Sequence, residues 1–337
     1  MTAKTCHQTG YRIFAVLVLL LLAISFMIEP FGDMWAGYIR IVSSPSVLLT
    51  DYLYVGGLAA TLFNVATTTG LNLVFLKLMK ADLTGAVFAC LMTISGFAFF
   101  GKNLYNALPI YLGIFLYCLA TKTKCKDHVI VFLLSSGISP VTSFMAFGLG
   151  LPLWWGMAVG LATGVAIGFI LPSFNNLAMK FHQGYNLYNT GFSMGVISMF
   201  VTGILSSFDI TVYQENELTD EYHYLFLFSI IGISLCLIIY ALLTGKREIW
   251  ANYKHLLNKS GRLRTDFTED NGWSPVLLNV GFMGFLAVLL VLLTPIRING
   301  PILGAILTIL GFAAFGKHPL NSVSVIAGAI LAIELTW

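Results

Sequence analysis

Gly96-Phe97-Ala98-Phe99-Phe100-Gly101-Lys102 returns, 215 residues later, as Gly311-Phe312-Ala313-Ala314-Phe315-Gly316-Lys317. The same offset, without a gap, sets Asn106 on Asn321 and Gly113 on Gly328. Upstream it sets Leu62-Phe63-Asn64-Val65 on Leu277-Leu278-Asn279-Val280 and Gly85 on Gly300. It also sets Trp35-Ala36-Gly37-Tyr38 on Trp250-Ala251-Asn252-Tyr253, and Thr50-Asp51 on Thr265-Asp266. Apolar stretches resemble one another by chance, but aligned Trp, Asp, Lys and Asn at one fixed spacing mark an internal duplication. The apolar run Tyr11–Ile28 falls on Phe226–Leu243, so the first unit covers 1–225 and the second 226–337. The counterparts of everything after Lys122 are missing from the second unit. Helix faces would then stay uncovered, and either oligomerisation, as in a homo-oligomer, or reduced stability is expected.

The composition names the solvent. Of 337 residues, 58% are hydrophobic and 10% charged, and the mean hydropathy is +0.86. Soluble proteins are ~25% charged. A globule in water could not keep enough charge on its surface, so a soluble enzyme and a disordered chain are excluded. The net charge of +3 rests on Lys and Arg scattered through short loops, which gives no basic groove for nucleic acid. The five cysteines form no CxxC pair and no Cys/His metal spacing. The class is an all-α polytopic membrane protein.

Eleven apolar segments follow: Tyr11–Ile28, Tyr54–Met79, Leu83–Phe100, Tyr105–Ala120, His128–Phe147, Leu151–Leu171, Asn186–Phe208, Tyr224–Leu243, Pro275–Leu293, Pro301–Phe315 and Asn321–Leu335. About seven belong to the first unit and about four to the second. Lys and Arg concentrate in Lys246–Asn271 and at Lys77, Lys80, Lys122, Lys124 and Lys126, while Asp209–Glu221 is acidic. By the positive-inside rule the basic loops and the N-terminus are cytoplasmic, and the protein is expected in a cell membrane. Seven crossings per unit is an odd number, so the second unit threads the bilayer in the reverse sense. Inverted repeats of this kind are typical of transporters and channels.

Three clusters carry candidate chemistry. The first is Gly101-Lys102-Asn103-Leu104-Tyr105-Asn106, echoed by Gly316-Lys317-His318-Pro319-Leu320-Asn321. A lysine near the bilayer edge can snorkel from a tight turn, but a turn needs Gly, not Gly-Lys-x-x-x-Asn; the sharper reading is a pair of gate or binding residues. The second runs from Phe181 to Phe192 and holds His182, Gln183, Asn186, Tyr188 and Asn189. It reads either as an interfacial aromatic belt with capping residues or as hydrogen-bonding groups at a helix start that replace a solute's water. The third, Leu134–Phe144, is rich in Ser and Thr around Gly137 and Pro140: a helix-packing stretch, or a broken helix lining a path.

No carboxylate sits mid-span; Asp51 and Asp266 read as helix caps. Walker A, HExxH and GxSxG motifs are absent. No catalytic side chain, metal set or cofactor is therefore expected, and passive permeation is favoured over coupled transport. The substrate-binding set is Lys102, Asn103, Asn106, His182, Gln183, Asn186, Tyr188, Asn189, Lys317 and Asn321. The partners are the lipid bilayer and a small polar or anionic solute.

Gly96–Gly113 and His182–Phe192, with the duplication, resemble the domain of unknown function 1576 family of bacterial membrane proteins, over essentially the whole chain. The resemblance implies a polytopic protein with a second His-x-Gly-x-Asn-Leu-Tyr-Asn element near its C-terminus; here only the copy at His182–Asn189 is present. It implies no activity. A looser similarity in architecture is to urea channels, which place two inverted halves around a polar pore. The expectation is a membrane transporter or channel. The rivals are a membrane-embedded enzyme using His182 on a lipid-like substrate, and a sensor or scaffold. A water path lined by the polar clusters would favour transport; a one-sided pocket open to lipid would favour an enzyme.

Overall fold

The computed structural model describes residues 3–47, 49–182, 189–212, 217–261 and 265–336. In chain order the helices are α1 (Ala3–Ile28), α2 (Phe31–Ser43), α3 (Tyr52–Gly56), α4 (Leu58–Leu78), α5 (Gly85–Phe97), α6 (Leu104–Thr121), α7 (Val129–Ser135) and α8 (Pro140–Ser143). After these come α9 (Leu153–His182), α10 (Asn189–Ser207), α11 (His223–Gly245), α12 (Ile249–Leu257), α13 (Phe267–Asn271), α14 (Trp273–Leu292), α15 (Gly300–Phe312) and α16 (Pro319–Thr336). Among the described residues there is no strand, only two isolated bridges, Asp51 with Phe100 and Asp266 with Phe315.

Among the described residues seven helices are long and apolar enough to cross a bilayer, and the bent pair Cys125–Ile138 with Pro140–Gly148 makes an eighth. Exposed apolar side chains such as Leu19, Met199 and Leu243 coat α1, α10 and α11. Such surfaces are stable against lipid and not against water. This is a multi-pass, all-α membrane protein. Of the eleven apolar segments, two form helices too short to cross alone, Gly85–Phe97 and Gly300–Phe312. At ~1.5 Å per residue a 13-residue helix reaches ~20 Å, against a ~30 Å hydrocarbon core.

The chain divides into two compact units. The first holds residues 1–12, 82–93 and 220–337; the second holds 13–81 and 94–219. In the second unit α4 sets the frame. Thr69 Oγ1 meets Ser95 Oγ at 2.7 Å, and the Tyr111 hydroxyl donates to Asn72 Oδ1 at 2.8 Å. With Asn64 bonded to residues 98 and 102, these contacts make α5 antiparallel to α4 and α6 parallel to it.

The bent segment owes its break to Pro140, which has no N–H to continue a helix. A 3₁₀ turn over Ser136–Ile138 precedes it, a π-turn over Phe144–Gly148 follows, and the second arm bends away from the first by 43°. Glycines on α9 at every fourth position let it pack tightly here. A Cβ on Gly156 would lie 2.1 Å from the Ala146 carbonyl, and one on Gly168 2.1 Å from that of Ile110. Gly160 and Gly164 face Thr142 at 2.7 and 2.8 Å. Close backbone approach through small residues is how helices associate in lipid. At the far end Val131 clusters with Ile167 and Leu171. The bent segment therefore runs antiparallel along α9, beside 156 at one end and 167–171 at the other, without doubling back.

In the first unit Asp266 joins two helices. Its carboxylate caps α13 through the Thr268 N–H at 3.0 Å. It also accepts the N–H groups of Gly85 at 3.0 Å and Ala86 at 3.2 Å, the first two residues of α5. Several charge-assisted bonds hold a buried anion at helix N-termini, where the dipoles favour it. Gly85 is required: a Cβ there would lie 2.4 Å from the Ala314 carbonyl.

Candidate functional site

The linker between α5 and α6 is a turn built from amides. Gly101 takes φ 64°, open to Gly at little cost. Asn103 and Asn106 form a reciprocal cap: Asn103 Oδ1 accepts the Asn106 N–H at 3.0 Å, and Asn106 Oδ1 accepts the Asn103 N–H at 2.9 Å. Asn106 Nδ2 donates to the Gly101 carbonyl at 2.8 Å and to Ser143 Oγ at 3.0 Å. From α4, Asn64 Nδ2 donates to the carbonyls of Ala98 and Lys102, each at 2.8 Å. Phe99 and Gly101 complete the fold-back by pairing with Tyr52 and Thr50.

Asn64 lies in the second turn of α4, ~9 Å from its start. The turn therefore sits inside the depth that α4 spans. Irregular backbone at that depth survives only where protein groups satisfy it. Here asparagine side chains do so.

The second copy repeats the core of this plan, with His318 in place of Asn103. Asn279 Nδ2 donates to the carbonyls of Ala313 at 2.7 Å and Lys317 at 2.8 Å. Asn321 Nδ2 donates to the Gly316 carbonyl at 2.9 Å, and its Oδ1 accepts the His318 N–H at 3.0 Å. Gly316 takes φ 83°. Phe267 pairs with Ala314 as Tyr52 pairs with Phe99.

Lys102 is the outlier in the first turn. It is 1% exposed, and its Nζ has no hydrogen-bond partner. Asn64 Oδ1 also lacks one. An ammonium held away from water without an acceptor is costly, so the turn favours any oxygen that reaches it. Lys317, by contrast, is part-exposed.

Hydrogen bonds connect the first turn to a cavity. Asn103 Nδ2 donates to the Tyr52 hydroxyl at 3.1 Å, and that hydroxyl meets Ser46 Oγ at 2.9 Å. Ser46 lines a cavity of about 180 Å³, beside the helix break at Gly137 and Pro140 and facing Ser198 and Thr202 of α10. At ~30 Å³ per water it has room for about six waters. Among the described residues no charged side chain lines it.

The family described as protein of unknown function (DUF1576) matches residues 32–207 and 245–336. The chain belongs to the DUF1576 family. No curated protein and no solved structure matches it. In this DUF1576 protein the two matched stretches hold both turns, Asn64 and Asn279 included.

Of the residues singled out in the sequence, Lys102, Asn103 and Asn106 come together in one turn. Lys317 and Asn321 form the matching turn in the other unit. Asn189 opens α10 half-buried, with Oδ1 buried and unpartnered. Gln183, Asn186 and Tyr188 lie outside the described residues, as does the side chain of His182, whose backbone ends α9. Sequence reasoning missed Asn64 and Asn279 as turn-builders, although the repeat alignment contained both. It also missed Tyr52 and Ser46, for which it offered no signal.

Proposed function

We propose that this DUF1576 protein passes a small polar or anionic solute across a cell membrane, through two copies of one hairpin threaded in opposite senses. The observation that carries the reading is Lys102: a buried lysine whose Nζ has no partner, held at membrane depth by a turn that the chain builds twice. Intramembrane ionisable residues that face the protein interior mark substrate paths.

The opposed threading rests on crossing parity. The α5–α6 pair goes in and returns, so its length does not alter which side the chain reaches. α1, α4, α9 and α10 each cross once. The bent segment decides the count. Its antiparallel run beside α9 supports a true crossing, which makes the total odd and enters α11 against the sense of α1. The cavity at the break supports the same reading, since interrupted helices in transporters line solute sites. With the N-terminus cytoplasmic, the basic loops 77–80, 122–126 and 246–264 all face the cytoplasm.

The test is flux through purified protein in liposomes. A panel of small neutral and anionic solutes is offered to wild type and Lys102→Met. Saturable or specific entry that Lys102→Met reduces supports transport. Liposomes containing folded protein that pass no member of the panel refute it.

A further inference from the structure

The two turns share a backbone plan and differ in which polar atoms are satisfied. In the second copy Asn279 Oδ1 receives the Tyr253 hydroxyl at 3.5 Å. Burial pushes the Tyr253 phenol up to about 12, so it keeps its proton and donates. In the first copy the equivalent tyrosine, Tyr38, lies beside Thr67, and no hydrogen bond joins its hydroxyl to Asn64 Oδ1. Asn64 Oδ1 is left without a donor. Two aligned positions differ beside this tyrosine: Thr67 corresponds to Phe282, which offers Tyr253 no hydroxyl and stacks on it with ring centroids 5.5 Å apart, and Phe63, edge-on to Tyr38 at 5.1 Å, corresponds to Leu278.

The first turn thus holds two unmet demands, and both groups are buried: Lys102 is 1% and Asn64 0% exposed. Lys102 Nζ lacks an acceptor and Asn64 Oδ1 lacks a donor. They belong to one turn, because the amide carrying that Oδ1 bonds the Lys102 carbonyl. We propose that the Lys102 turn binds a short hydroxycarboxylate, the carboxylate meeting Lys102 Nζ and the hydroxyl donating to Asn64 Oδ1. A simple carboxylate would leave the amide oxygen unpaired, and a polyol would leave the ammonium without an anion. This rests on the transport reading and narrows its solute.

The probe is labelled lactate, taken up by liposomes containing the full chain, with propionate and glycerol as competitors. A site built around a substrate hydroxyl discriminates strongly against analogues lacking it. Lactate uptake should saturate, and each competitor should act at least about tenfold more weakly than unlabelled lactate. Lys102→Met should lower uptake at least about tenfold while the melting temperature does not fall, and Lys126→Met, in an exposed loop, should leave it unchanged. Thr67→Phe moves the first turn toward the second turn's arrangement and offers Tyr38 to Asn64. It should narrow the preference for lactate over propionate.

Propionate or glycerol competing as well as lactate overturns the assignment, as does undiminished uptake by Lys102→Met. If other solutes enter and lactate does not, the assignment fails and transport stands. If nothing enters, transport itself fails.

Discussion

Replacing Lys102 by Met should make the protein more stable. Met fills nearly the same length with no charge, and Lys102 Nζ has no hydrogen bond to lose. The wild-type penalty has a ceiling. A lysine can escape burial of its charge by leaving the proton in solvent, which at pH 7 costs about 4.6 kcal/mol, from an ordinary value near 10.4. Replacing buried ionic groups by apolar ones of similar volume has gained about 1–4 kcal/mol elsewhere. A gain of about 1–4 kcal/mol is therefore expected here. The assay is thermal unfolding in one detergent, without added carboxylate, for wild type and Lys102→Met side by side. The variant should melt several degrees higher. Adding lactate should then raise the wild type and leave the variant unmoved, because only a bound ligand shifts the equilibrium. If Lys102 were half of an internal ion pair, its removal would instead cost about 3–5 kcal/mol. A variant that melts lower than wild type would refute the reasoning.

Other changes test the frame around the turn. Asn64→Leu and Asn279→Leu each orphan two carbonyls, at about 1–3 kcal/mol apiece, and Asn279→Leu also frees the Tyr253 hydroxyl, so both should lower the melting temperature and Asn279→Leu at least as much. A larger loss for Asn64→Leu would contradict the asymmetry between the two turns. Gly168→Leu puts a side chain where even a Cβ meets the Ile110 carbonyl at 2.1 Å, and should abolish a monodisperse peak in size-exclusion chromatography. Ser198→Leu fills part of the 180 Å³ cavity and should cut solute uptake severalfold with little change in melting. Uptake at the wild-type rate would remove the cavity from the path.

The duplication was legible because the turn makes demands that few residues meet. Gly101 and Gly316 take positive φ, and Asn106 and Asn321 bond back to those glycines, so Gly and Asn recur at a fixed spacing. The shortness of α5 was not legible. Phe99 and Phe100 continue the apolar run past Phe97, yet their backbones pair with Tyr52 and Asp51 in place of a helix. Hydropathy records what a side chain prefers, not where its N–H bonds. The roles of Asn64 and Asn279 were hidden for a related reason: a lone asparagine in a span gives no hint of which distant carbonyls it satisfies. The packing of α9 could have been read from Gly156, Gly160, Gly164 and Gly168, a four-residue glycine period. Part of the asymmetry between the turns lies in the aligned pairs Thr67 with Phe282 and Phe63 with Leu278, which acquire meaning only once Tyr38 and Tyr253 are seen beside them.

The opposed threading of the two hairpins is tested most directly by labelling in intact cells. In a cysteine-free background, single cysteines replace Asp33 on α2 and Lys254 on α12, both exposed and on corresponding helices of the two copies. The account predicts that a membrane-impermeant maleimide labels Asp33→Cys from outside and reaches Lys254→Cys only after the membrane is permeabilised. Labelling of both from the same side would contradict it.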